Sequence, residues 1–203
     1  MQYLSPWGIQ SFWIEYGSTY TYLSVARIGR TAAARGVEVR WQPFYVMPIF
    51  NELGMTQGPF LPFPGKTAYM WRDIERRAAR HGTPYAKPST YPVSSLLTAR
   101  IACIAANEGW CRPFTEGVFE LHWTRNILIG SDENLHIVLT DLGHSPSALI
   151  ARAKDESIKA ALKLKTEQAK TLGIFGAPSF TVGRELFWGD DRLEEALDWA
   201  CSH

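Results

Sequence analysis

Hydrophobic and polar positions recur along this chain with a period that changes twice. Residues 11–16, Ser-Phe-Trp-Ile-Glu-Tyr, form a β-branched and aromatic run closed by Gly17, which predicts a strand. Over residues 19–35 the positions Tyr22, Val25, Ala26, Gly29, Ala32 and Ala33 fall at helical spacing, with Ser18 as a favoured N-cap and Gly36 as the stop. Residues 37–41 read as a second strand ending at Pro43, so residues 11–43 predict one β-α-β unit. The pattern then dissolves. Residues 48–65 are studded with Pro48, Gly54, Gly58, Pro59, Pro62, Pro64 and Gly65, a long loop of the kind that carries function.

A helical block follows. Residues 66–81 predict a helix with Arg76, Arg77 and Arg80 near its end, where cations suit the macrodipole. Residues 92–107 place Val93, Leu96, Leu97, Ile101, Ile104 and Ala105 on one face. Helices are also predicted over 113–125, 131–142, 145–153 and 155–172, the third opening on Ser145-Pro146, an N-cap followed by a proline. Strand character then returns. Residues 179–182 and 185–188 flank Gly183-Arg184 as a β-hairpin, and Asp190 or Asp191 caps a last helix to about Cys201. The order β-α-β, helices, β-β-α predicts an α/β, thioredoxin-like fold with a large all-helical domain inserted between its halves. The expected division is residues 11–46 and 173–203 in the sheet domain and residues 47–172 in the insertion.

Composition narrows the function. Of 203 residues, 46% are hydrophobic and 20% charged, the range of a globular chain. Lys+Arg and Asp+Glu number 21 and 20, a net charge of +1, which offers no footprint for a nucleic-acid duplex or an anionic membrane. Cys103, Cys111 and Cys201 show no C-x-x-C spacing, so a disulfide framework, a zinc ribbon and dithiol chemistry all lack support. The first residues form a loosely ordered lead-in without a basic segment and apolar run, and no stretch approaches the ~18 apolar residues of a membrane span. A soluble, cytoplasmic protein is expected. The five histidines have no metal-ligand spacing, and His122, beside Phe119 and Trp123, reads as a core residue. Cys103 and Cys201 read as packing residues, and Cys111 as partly buried.

Four places carry candidate chemistry, each with two readings. Ser18 at the strand–helix junction is a plain N-cap, or a hydroxyl at a helix N-terminus where a thiolate would be stabilised. Redox thioredoxins carry two cysteines at this junction; the equivalent positions here are Ser18 and Thr21. Pro178 is a turn device, or a cis-proline opposite the helix start whose preceding residue offers its backbone to a peptide-like ligand. Asp190 and Asp191 are capping carboxylates, or one of them binds an ammonium group. Lys66, at a helix start where it opposes the dipole, is surface charge or a partner for a ligand carboxylate.

Together these segments resemble the 2-hydroxychromene-2-carboxylate isomerases, relatives of the kappa-class glutathione transferases. The motifs run in the family's order: Glu15-Tyr16-Gly17-Ser18-Thr19-Tyr20, Met47-Pro48-Ile49-Phe50, Lys66-Thr67-Ala68-Tyr69-Met70-Trp71, Leu96-Leu97-Thr98-Ala99-Arg100, Phe175-Gly176-Ala177-Pro178-Ser179-Phe180 and Leu186-Phe187-Trp188-Gly189-Asp190-Asp191-Arg192. The resemblance implies a glutathione-dependent homodimer in which Ser18 faces the glutathione sulfur. Ala177, before a cis-Pro178, would pair with the cysteinyl part, Asp190, Asp191 and the backbone around Arg192 would hold the γ-glutamyl end, and Lys66 would face a carboxylate. Met47, Pro48 and Tyr91 would stand on the side of a small aromatic substrate, and no metal is implied. The implied reaction converts 2-hydroxychromene-2-carboxylate to trans-o-hydroxybenzylidenepyruvate by thiolate addition, ring opening, bond rotation and thiol elimination. The electrophile would lie between sheet domain and insertion, under residues 48–65 acting as a lid. The chain departs from the family at Thr19, where proline is usual, and at Thr56-Gln57-Gly58 and Ser94-Ser95, where asparagines are expected. Alternatives are a kappa-type transferase that releases a conjugate and a non-catalytic thioredoxin-like binding module.

Overall fold

The computed structural model describes residues 10–202; the expectations for residues 1–9 lie outside them. Among the described residues four strands form one sheet in the order β2-β1-β3-β4. Strand β1 (Gln10–Ile14) pairs in parallel with β2 (Val39–Pro43), and the crossover between them is helix α1 (Thr19–Ala33). Strand β3 (Ser179–Val182) returns antiparallel to β1, and β4 (Glu185–Trp188) pairs with β3 through a two-residue turn in which Gly183 takes φ +59°. Between β2 and β3 lie α2 (Met47–Glu52), α3 (Pro64–His81), α4 (Leu96–Glu108), α5 (Cys111–Arg125), α6 (Asp132–Asp141), α7 (Pro146–Arg152) and α8 (Glu156–Thr171). A 3₁₀ turn, Asp190–Arg192, leads into α9 (Leu193–Ser202). This is the thioredoxin-like fold with a helical insertion that the alternation of patterns predicts.

Strand alternation sends successive side chains to opposite faces. Phe12 and Ile14 join a core with α1, α4, α5 and α9, while Trp13 lies in a second cluster with Phe44, Val46, Ile49, Ala169 and Ile174. On the first face Phe12 stacks on Phe180 at 5.3 Å and meets the edge of Trp41 at 5.2 Å, so three adjacent strands share one aromatic ladder. Ala177 packs against the second cluster beside Phe50. The segment before β3 therefore rests on the same support as α2.

Several boundaries differ from the sequence expectation, and prolines account for most of them. Residues 47–52 form α2 within the expected loop, with Pro48 in the first turn, where its missing N–H leaves no gap in the ladder. Ile49 is buried, so this part of the segment is packed rather than hinged. Helix α3 starts two residues early, at Pro64, for the same reason, and α5 starts at Cys111 with Pro113 in its first turn. Helix α4 starts late, at Leu96, because Ser95 and not Pro92 takes the N-cap region; the Tyr91–Pro92 peptide before it is cis. Cys201, read as a packing residue, is exposed. Among the described residues no helix is long and apolar enough to cross a membrane.

Candidate functional site

Strand β1 ends in the core, and Glu15-Tyr16-Gly17 turns the chain into α1, with the Ser18 N–H donating to the Glu15 carbonyl at 3.2 Å. Ser18 itself is extended (φ −83°, ψ 126°), the backbone of an N-cap. Its Oγ accepts from the Thr21 N–H at 3.3 Å and donates to the Ala177 carbonyl at 3.1 Å. The capping reading and the site reading thus describe the same atom. The first bond is the local cap of α1, and the second arises because β3 lies beside β1 and its entry residues reach the start of α1.

The Ala177–Pro178 peptide is cis. The Pro178 carbonyl accepts from the Gly189 N–H at 2.9 Å, which draws the end of β4 and the 3₁₀ turn alongside. Trp188 lies on Gly176 so closely that a Cβ there would stand 2.6 Å from its Nε1, and Phe175 meets Trp188 edge-on at 4.8 Å. A half-exposed aromatic pair therefore borders the proline.

Asp190 corrects the expectation of a cap or an open ammonium ligand. It is 1% exposed, and the N-cap of its turn is Gly189, with no side-chain cap bond. Its carboxylate accepts from Arg27 Nη2 at 2.8 Å, from Arg77 Nε at 2.9 Å and Nη2 at 2.5 Å, and from Ser24 Oγ at 3.2 Å. Arg27 also pairs with Glu194 and donates to the Asp190 carbonyl. A carboxylate with both oxygens filled by two guanidinium groups has no capacity left for a ligand ammonium. Asp191, 50% exposed, faces solvent and pairs with Arg192 at 3.3 Å, while Arg192 also reaches Glu195.

Lys66 is the third residue of α3. It forms no ion pair among the described residues; its Nζ lies 4.6 Å from the Phe63 ring centre. It borders a cavity of about 410 Å³ lined also by Met55, Thr56, Gln57, Pro59 and Phe63. The first turn of α1 reaches this region through Tyr20, whose ring meets Phe60 at 6.3 Å and whose hydroxyl donates to Asp73 at 3.1 Å. Ser18 is therefore in direct contact with Ala177, and Pro178 follows it in the chain, whereas Lys66 stands on the separate cavity at the start of α3. Met47 and Pro48 are half-buried at the start of α2, between Val46 and Ile49 of the cluster that Ala177 packs against. Tyr91 meets Trp71 edge-on at 5.1 Å, and burial, with the charge of Glu15, pushes its phenol up to about 12.

Two functional-looking residues escape a reading of the sequence. Glu15 sits three residues before Ser18 and is 4% exposed. Its Oε1 accepts from Ser95 Oγ at 2.6 Å and its Oε2 from the Gly17 N–H at 2.8 Å. Burial pushes its carboxyl up to about 7 against the pull of those bonds. A lone carboxylate at the end of an apolar strand was the available signal. Arg77 reads as one of three dipole-complementing cations, and only the fold shows it aimed at Asp190.

The two buried thiols offer no nucleophile. Cys111 opens α5, a position that favours a thiolate, yet burial pushes it up to about 11, and Cys103 goes up to about 12. His122 is a core residue: its Nδ1 accepts from the Ile129 N–H at 3.3 Å, and burial pushes it down to about 4.

The profile of the DSBA-like thioredoxin domain matches residues 11–198. A protein of Sphingobium xenophagum named 2-hydroxychromene-2-carboxylate isomerase is 24% identical over 187 residues, covering 90% of this chain and 93% of that one. A solved structure of a 2-hydroxychromene-2-carboxylate isomerase superposes with a TM-score of 0.84 at 24% identity, over 95% of this chain and 96% of that one. The cytosolic disulfide reductase DsbM from Pseudomonas aeruginosa, solved with GSH, gives a TM-score of 0.63 at 17% identity, with 96% of each chain covered.

Proposed function

Since the chain belongs to the DSBA-like thioredoxin family, we propose that it is a glutathione-dependent isomerase acting on 2-hydroxychromene-2-carboxylate or a similar conjugated aromatic carboxylate. The observation that carries this reading is the Ser18 hydroxyl, held between the first turn of α1 and the Ala177 carbonyl. Full-length likeness to a relative named for that reaction supports it. The replacement of both helix-start cysteines by Ser18 and Thr21 leaves the site without a dithiol of its own.

The donor set fits glutathione. A hydroxyl at a helix N-terminus suits a thiolate, an unpaired Lys66 ammonium suits a carboxylate, and the half-exposed Asp191 carboxylate suits an ammonium. Bound glutathione would supply a thiolate that adds to the conjugated ring and is later expelled. The chain's part is to hold and tune that thiol. The Ser18 Oγ–H would turn from the Ala177 carbonyl to hold the thiol, and the freed carbonyl could accept an N–H of a peptide-like cofactor. A hydrogen bond to a charged group is worth roughly 1.5–3 kcal/mol, or one to two powers of ten in thiolate fraction. Residues 11–46 and 173–203 would hold the cofactor. The insertion, residues 47–172, would supply the substrate side through Met47, Pro48 and Tyr91, because ligand sites favour such junctions.

The test follows the absorbance of 2-hydroxychromene-2-carboxylate with and without glutathione, in wild type and Ser18→Ala. Conversion should require glutathione and fall 10- to 100-fold in the variant. Conversion without glutathione, or at an unchanged rate in Ser18→Ala, would overturn the assignment.

A further inference from the structure

We propose that Glu15 is a positioning residue whose ionised carboxylate holds the Ser18 turn against the start of α4, so that the placement of the Ser18 hydroxyl depends on pH. Glu15 joins two segments far apart in sequence: Gly17, on the turn that carries Ser18, and Ser95, the N-cap position of α4. A backbone N–H can only donate, and the Ser95 hydroxyl donates to the other oxygen, so each carboxylate oxygen receives one hydrogen. That is the complement of an ionised carboxylate, which is acceptor-only. Gly17 permits the approach, since a Cβ there would lie 3.1 Å from Oε2.

The other groups that face Glu15 are neutral. They are the phenols of Tyr45, beyond β2, and Tyr91, before α4, each pushed up first by burial and next by the charge of Glu15. Arg100, on α4, faces Tyr45, and its buried Nε has no hydrogen-bond partner. Glu15 forms no ion pair among the described residues, so only the Gly17 N–H and the Ser95 hydroxyl hold its charge in place. Burial accordingly brings its titration to about 7, where a modest change of pH switches it. On protonation the Ser95 bond must reverse, with the carboxyl O–H donating to Ser95 Oγ, and the Gly17 bond loses the charge that strengthens it, so the tie between the Ser18 turn and α4 loosens.

The functional half of this inference rests on the proposed role of Ser18; the titration does not. With ¹⁵N-labelled protein, the Gly17 amide resonance should move between pH 5 and 9 with a midpoint near 7, and the movement should vanish in Glu15→Gln. In turnover, the ratio of wild-type to Glu15→Gln rate should rise from near one below pH 6 to about tenfold above pH 8. A residue that merely packs would give a ratio independent of pH. Should Glu15→Gln fail to fold, Glu15→Asp takes its place, with the amide midpoint displaced from that of wild type. A flat Gly17 titration, or one retained unchanged in the variant, would overturn the proposal, as would a constant rate ratio. Absence of turnover in wild type alongside an intact Gly17 titration would count against the isomerase reading alone.

Discussion

Replacing Asp190 with asparagine separates a ligand-binding carboxylate from a structural one. The carboxylate is 1% exposed and lies between Arg27, itself 3% exposed, and Arg77, with Ser24 completing the set. In Asp190→Asn the side chain keeps its shape but loses the buried one of the two carboxylates that compensate the Arg27 guanidinium, leaving the half-exposed Glu194. The new amide would also point N–H groups at one of the arginines. Breaking a buried pair by removing one partner costs about 3–5 kcal/mol, most of it from the charge left behind. For a chain of this length each kcal/mol moves the melting temperature by ~2–4 °C, so a drop of about 10 °C is expected. The assay is thermal unfolding by circular dichroism, checked by urea titration at pH 8. The network ties α1 and α3 to the turn before α9, so the loss should appear in the global transition and not as local fraying. A variant within about 1 kcal/mol of wild type would refute the reasoning and return Asp190 to the role of a ligand-facing group.

Four further outcomes follow from other parts of the structure. Gly130→Ala should lose more than ~2 kcal/mol by urea titration, since Gly130 takes φ +80° and an added Cβ would stand 2.1 Å from the Ser94 carbonyl. Gly36→Ala, at φ +67° with open space around it, should lose only about 1–2 kcal/mol. His122→Gln should flatten the acid side of the stability curve. A histidine held at about 4 in the native state and near 6.5 unfolded leaves more protons on the unfolded chain between those values, so stability falls as pH drops through that window, by up to ~3 kcal/mol. Glu15 acts in the opposite sense. Its native value of about 7 lies above the usual 4.5, so the native state holds the extra proton and stability falls as pH rises from 4.5 to 7. Measured at pH 5 and 8, the two single variants should therefore differ from wild type with opposite pH trends.

The order of elements was readable because period-2 and helical spacings alternate cleanly, and the unit built around Ser18 carries both an N-cap and the stop glycine that closes its helix. The placement of Ser18 against Ala177 was readable only through family resemblance, for the two residues lie 159 positions apart and nothing local marks the contact. Starts of helices were misjudged where prolines stand in first turns, as at Pro48, Pro64 and Pro113, because the same residue signals a loop and tolerates a helix start. Asp190 and Asp191 look alike in sequence. Burial alone distinguishes them, and it depends on Arg27 and Arg77 arriving from two other helices. Glu15 was hidden for the same reason: its partner Ser95 lies 80 residues away.

The central claim is that Ser18 and the start of α1 hold a glutathione thiol as thiolate. The most direct test titrates the thiolate absorbance of glutathione bound to the protein, in the far ultraviolet, in wild type and Ser18→Ala. A free cysteine thiol ionises near ~8.5, and loss of one hydrogen bond to the charged form should raise the bound value by about one to two units in the variant. A bound thiol well below ~8.5 in wild type and shifted upward in Ser18→Ala is the expected result. An equal value in both proteins, or no glutathione bound at all, would contradict the claim.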